Sequence, residues 1–120
     1  MYTARQLLIL LSCTFLVSCS TVPTVEEAAV LDVATTAVGI ASGAQELNPL
    51  GPVVGSLLKL VYITGMVKRT PQGDRFVSSL WTGAAANNIA VTFMLSPLLS
   101  IATGITVGYY VYTLQKPLTE

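Results

Sequence analysis

The sequence predicts an all-α fold, a small membrane bundle of about four apolar helices behind a signal segment. Three observations predict it. Of the 120 residues 52% are hydrophobic and 10% charged, against roughly a quarter charged in soluble proteins, and the mean hydropathy is +0.69. The apolar residues fall in four runs separated by breakers: Asn48, Pro49, Gly51 and Pro52, then Thr70 to Asp74, then Ser96 and Pro97. Ahead of these, Arg5 precedes the apolar QLLILLSCTFL, which runs into Leu16, Val17, Ser18 and Cys19.

A positive start, an apolar core and small residues before a cut form a secretory signal. The Leu-Val-Ser-Cys tetrad resembles the bacterial lipobox. That resemblance implies cleavage before Cys19 by signal peptidase II, with Cys19 carrying the lipid anchor (diacylglycerol, palmitate) of a bacterial lipoprotein. Residues 1–18 are then a signal peptide, 19–27 a lipidated linker and 28–116 a single membrane domain. An uncleaved first membrane helix is the alternative, but about 13 apolar residues at about 1.5 Å each are short for a hydrocarbon core near 30 Å. The expected location is the bacterial cell inner membrane, multi-pass, and a bacteriophage source fits equally. With Cys13 inside the targeting run and Cys19 a processing site, no disulfide framework is expected.

The first helix is expected over 25–47. Thr24 caps it, Glu27 stands three residues on in capping-box spacing, and Glu26 and Glu27 suit the positive end of the helix dipole. Asp32, Thr36, Gly39, Gly43 and Glu46 are spaced by 4, 3, 4 and 3 residues and form one stripe too polar to face lipid. A second helix, 51–68, carries Lys59 inside an apolar run and ends in Lys68 and Arg69. After a polar turn at 70–74, a third helix, 75–95, holds Trp81, Asn87 and Asn88. The fourth, 97–115, carries Gly104 and Gly108 before Tyr109, Tyr110 and Tyr112, whose rings suit the headgroup level.

Folding the first two helices about residues 48–51, and the third back about 71–72, yields two polar clusters at about 1.5 Å per residue. One is a buried cluster of Glu46, Lys59, Asn87 and Asn88. The other is an interface ion cluster of Asp32, Lys68, Arg69 and Arg75. Orientation has two readings. The positive-inside rule puts Arg5, Lys68, Arg69, Arg75 and Lys116 on the cytoplasmic side, whereas a lipidated Cys19 lies at the outer face. The two agree only if the first helix lies along the outer interface or re-enters.

Three glycine pairs, Gly39 and Gly43, Gly51 and Gly55, Gly104 and Gly108, have the small-xxx-small spacing that lets helices approach closely in lipid. Lys59 is a functional-site candidate by position, and an ion pair with Glu46 is the structural alternative. Catalysis has little to draw on. The chain has no histidine, which removes the usual proton shuttle, metal ligand and triad base. Ser56 and Lys59 match S-x-x-K, but the companion S-D-N and K-T-G signatures are missing. A formal charge of zero without a basic run argues against nucleic acid. No cofactor or metal is expected, and the partners expected are the bilayer, other copies of the chain or other membrane proteins.

Taken together, Asp32-x-x-Thr35-Thr36, Gly43, Glu46-x-Asn48-Pro49, Lys59 and Asn87-Asn88 resemble a family of small multi-spanning bacterial and archaeal membrane proteins of unknown function. The likeness covers residues 28 to about 95. It implies the helical hairpin and a Glu46, Lys59, Asn88 cluster, and it brings no activity or ligand. The lipobox leader departs from that family. The functional expectation is a lipid-anchored, non-enzymatic scaffold or accessory subunit. A pore-forming or ion-coupled element, holin-like lysis proteins included, is the alternative.

Overall fold

The computed structural model describes residues 22–43, 51–93 and 95–115. These contain four helices and no strand: α1 (Val25–Ala41), α2 (Gly51–Ile63), α3 (Pro71–Thr92) and α4 (Pro97–Leu114). All-α is therefore the fold class of the described chain.

Each start is set by a cap. Thr24 Oγ1 accepts from the Glu27 amide at 3.2 Å, and Glu27 Oε2 accepts from the Thr24 amide at 2.8 Å, closing the capping box on α1. Thr70 and Ser96 do the same work for α3 and α4, each followed by a proline whose missing N–H costs nothing in a first turn. The expected polar turn at 70–74 is consequently the first turn of α3, which begins at Pro71 rather than 75. Its physical reason is a Thr-Pro-x-Gly-Asp start with an acid at the positive helix end.

Two helices are shorter than their apolar runs. α1 stops at Ala41, where Gly43 adopts φ +86°, and α2 stops at Ile63 ahead of Gly65 at φ +75°. Such left-handed residues end helices. Gly51 likewise has φ +71°, and a Cβ on Gly43 or Gly51 would meet nothing within 4 Å among the described residues. Their role is turn geometry, not the close helix approach expected of them. Gly39 and Gly55, by contrast, are buried on α1 and α2.

The helices run up, down, up, down, with α3 central between α1 and α4, and α2 leaning on α1 at the edge. Along the α3/α4 seam Arg75 meets Tyr112, Ser79 meets Gly108 and Gly83 meets Gly104, an antiparallel register stepping by four residues. Here the backbones touch. A Cβ on Gly83 would lie 2.6 Å from the Gly104 carbonyl oxygen, and one on Gly108 3.0 Å from that of Ser79. Gly104 and Gly108 thus pack against Gly83 and Ser79 of the same chain.

The core is built of small and polar side chains. The largest fully buried ones are Thr35, Thr82 and Ser100, accompanied by Ala28, Ala85, Ser78 and Ser79. Among the described residues no Leu, Ile, Phe or Met is buried. Val53 (69% exposed), Leu98 (78%) and Ile105 (68%) stand outward instead, with Leu57, Leu58 and Tyr109. Water-soluble domains do the reverse. No helix of the described residues is long and apolar enough to cross a membrane.

Candidate functional site: a buried acid, amine and amide

The site lies where α1, α2 and α3 meet. Asp32, buried on the inner face of α1, receives the Lys59 ammonium from α2 at 2.9 Å (Oδ2 to Nζ). The two side chains retain 9% and 13% of their exposure. From α3, Asn88 Nδ2 donates to Asp32 Oδ1 at 3.1 Å, to Thr36 Oγ1 at 2.8 Å and to Thr35 Oγ1 at 3.3 Å. Thr35 can accept because its own proton goes to the Leu31 carbonyl at 2.8 Å. The carboxylate thus has a cation on one oxygen and an amide on the other. Trp81 closes the site, its ring centroid 5.6 Å from Lys59 Nζ, within cation–π range.

The sequence expectation paired these groups differently. Glu46, the expected partner of Lys59, lies outside the described residues, as does Cys19. Asp32, expected among Lys68, Arg69 and Arg75, is instead the partner of Lys59. The reason is register. A first helix continuing to 47 put the hairpin bend near residues 48–51, whereas α1 ends at Ala41 and slides Asp32 along α2 to the level of Lys59. Asn87 and Asn88 also part company. Neighbours on a helix point about 100° apart, so Asn88 meets α1 while Asn87 lies against Gly104 of α4.

Arg69 organises the polar end of the bundle. Its Nε and Nη2 bond the Asp74 carboxylate at 3.1 and 3.0 Å, and its Nη1 bonds Glu26 Oε1 at 2.7 Å. Tyr62 donates to Asp74 Oδ1 at 2.9 Å and meets Trp81 edge-to-face at 5.8 Å. A continuous chain of contacts therefore joins Arg69 through Asp74 and Tyr62 to Trp81 and Lys59. Lys68 is exposed. Arg75 turns to α4, donating to the Tyr112 carbonyl at 2.9 Å with its guanidinium 4.0 Å over that ring. The expected four-residue ion cluster thus resolves into separate contacts.

Hydrogen bonding to Arg69 holds the Asp74 and Glu26 carboxyls below their usual range, in Asp74 against the opposing effect of desolvation. A folded-state value below the unfolded one stabilises fully above about pH 4 and fades as pH falls through the lower value. Below about pH 4 the thermal midpoint in detergent micelles should therefore drop in wild type, and more shallowly in Arg69→Gln, as followed by circular dichroism.

Two features escaped the sequence. Nothing in the apolar pattern marks Trp81 as the ring over Lys59, and Gly83, although Ser79-x-x-x-Gly83 has the small-xxx-small spacing, lies in a helix crowded with small residues. Ser56 donates to the Pro52 carbonyl at 2.7 Å, and Lys59 is engaged by Asp32. Among the described residues no group of three His, Cys, Asp or Glu side chains could hold a metal. Comparison with protein-family models, curated proteins and solved structures finds no match to this chain.

Proposed function

We propose that the chain is a small helical protein embedded in a bacterial membrane, lipid-anchored at Cys19, that serves as a non-enzymatic scaffold or accessory subunit. One observation carries this reading: among the described residues the bundle is largely inverted, with Ser, Thr, Gly, Ala, Asn, Asp and Lys making most of the interior beside Val25 and Val111, and every Leu, Ile, Phe and Met left unburied. In water that arrangement forfeits the main driving force for folding. In lipid it is the economical one, because small residues allow close packing and polar groups satisfy each other. Thr35, Ser78, Ser79, Thr82 and Ser100 lower the hydropathy of their helices although they are buried against neighbouring ones. Moderate hydropathy is therefore compatible with embedding of residues 76–92 and 98–111, while α1 and α2, 17 and 13 residues long, enter the bilayer over 28–41 and 51–61 without the length to cross it. The charged groups at Glu26, Arg69 and Asp74 then sit at the headgroup end.

The scaffold reading is supported by how the polar groups are engaged, since Asp32, Lys59 and Asn88 hold three helices together. The same residues, with Thr35 and Thr36, belong to the pattern shared with the small multi-spanning family, which is the family we propose. The burial of an acid–amine pair favours a second reading, an ion-coupled or pore-forming element.

Alkaline carbonate extraction of membranes tests the first reading. Wild type and Cys19→Ser should both stay in the membrane pellet, because the helical surface as well as the lipid holds them. Release of Cys19→Ser would reduce the attachment to the lipid alone, and release of both would remove the membrane. Induced expression that changes conductance in wild type and not in Lys59→Met would favour the second reading over the scaffold.

A further inference from the structure

The outer face of the α3/α4 pair carries an open groove of about 680 Å³, a volume ample for inserted side chains. Gly83, Gly104 and Gly108 lie along it, and Leu80, Ile105 and Tyr109 stand exposed beside them. Asn87 also lines the groove. Its Oδ1 is buried and has no hydrogen-bond partner among the described residues, unlike the amide nitrogen of Asn88 next to it, which donates to Asp32, Thr35 and Thr36.

We propose that this groove is the contact between two copies of the chain in the membrane, related by a two-fold axis close to Asn87. The proposal rests on the membrane reading above. An acyl chain would fill the groove but offers no donor, leaving an unpaired acceptor in hydrocarbon, which is costly. A second Asn87 supplies the missing donor. A carboxamide carries both N–H and C=O, so two of them related by a two-fold axis exchange reciprocal N–H···O bonds. The broad terminal torsion of asparagine lets the amide turn toward the groove. Shape agrees with this chemistry, because the same face offers both knob and hole: exposed Leu80 and Ile105 stand beside a groove lined by Gly83, Gly104 and Gly108.

Stepwise photobleaching of the labelled full chain in lipid vesicles, across a range of protein densities, reads the association directly. Wild type should bleach in two steps at densities where Asn87→Leu bleaches in one, with dimerisation weakened about 3- to 30-fold. Asn87→Leu should keep or raise the unfolding midpoint of the monomer, because it removes an unpaired acceptor, so weakened pairing is not misfolding. Ala84→Cys, in the groove, should cross-link to itself, and Leu57→Cys, on α2, should not. One-step bleaching at every density, cross-links through Leu57 with Ala84 silent, or a co-purified lipid or other protein that shields Ala84 would each overturn the proposal. One-step bleaching in vesicles that retain the chain removes the dimer alone. Failure to insert into vesicles removes the membrane reading with it.

Discussion

Asp32→Ala should lower the unfolding free energy by about 3–5 kcal/mol, the usual cost of removing one partner from a buried ion pair. The loss has two parts. The Lys59 side chain keeps only 13% of its exposure, and its ammonium would face the Trp81 ring without the Asp32 carboxylate. Asn88 would lose its anionic acceptor and keep only the Thr35 and Thr36 hydroxyls. Lys59→Met alone should also destabilise, since it strands a carboxylate in place of an ammonium. The double variant Asp32→Leu/Lys59→Met should recover most of the loss, because apolar residues of similar volume replace buried pairs at little cost or with a gain of up to about 4 kcal/mol. Equilibrium unfolding in mixed micelles measures all four corners of that cycle. A cost below about 1 kcal/mol for Asp32→Ala would mean that the pair is solvated and holds nothing together.

That pair also marks where sequence reasoning stops. The helix starts at Thr24, Thr70 and Ser96 are coded locally, by a hydroxyl, a proline and an acid within one turn, and the breaks at Gly51, Pro52 and Pro97 are just as local. Partner choice is not local. The sequence reading pairs Lys59 with Glu46, and recognising Asp32 as its partner needs the point where α1 stops. That point depends on the left-handed conformation of Gly43, a single backbone angle that the apolar pattern does not encode. The same limit separates Arg69 from Arg75. Both lie near a helix start, yet one binds two carboxylates and the other a carbonyl on α4. Among the glycines the spacing alone was degenerate. Gly104 and Gly108 pack, Gly43 and Gly51 turn, and Gly83 was hidden in a helix where small residues are abundant.

Gly83→Val should be the most damaging of the glycine substitutions, at about 3 kcal/mol, the upper part of the usual range for overpacking. Its Cβ would stand 2.6 Å from the Gly104 carbonyl oxygen and 3.2 Å from the Gly108 Cα, both backbone atoms that no rotamer change can move aside. The helix-propensity gain on leaving glycine is at most about 1 kcal/mol and is smaller for a β-branched residue, so the clash decides the sign. Relief requires α3 and α4 to separate along the whole seam, which also loosens the contacts of Arg75 with Tyr112. Gly51→Ala provides the contrast. Among the described residues nothing lies within 4 Å of its added Cβ, and the penalty is the left-handed backbone at φ +71°, about 1–2 kcal/mol confined to one turn. Spin labels at Phe76 and Tyr109 distinguish the two mechanisms. Their separation should lengthen in Gly83→Val and stay unchanged in Gly51→Ala. An unchanged distance in Gly83→Val with wild-type stability would mean that the α3/α4 seam is not in backbone contact.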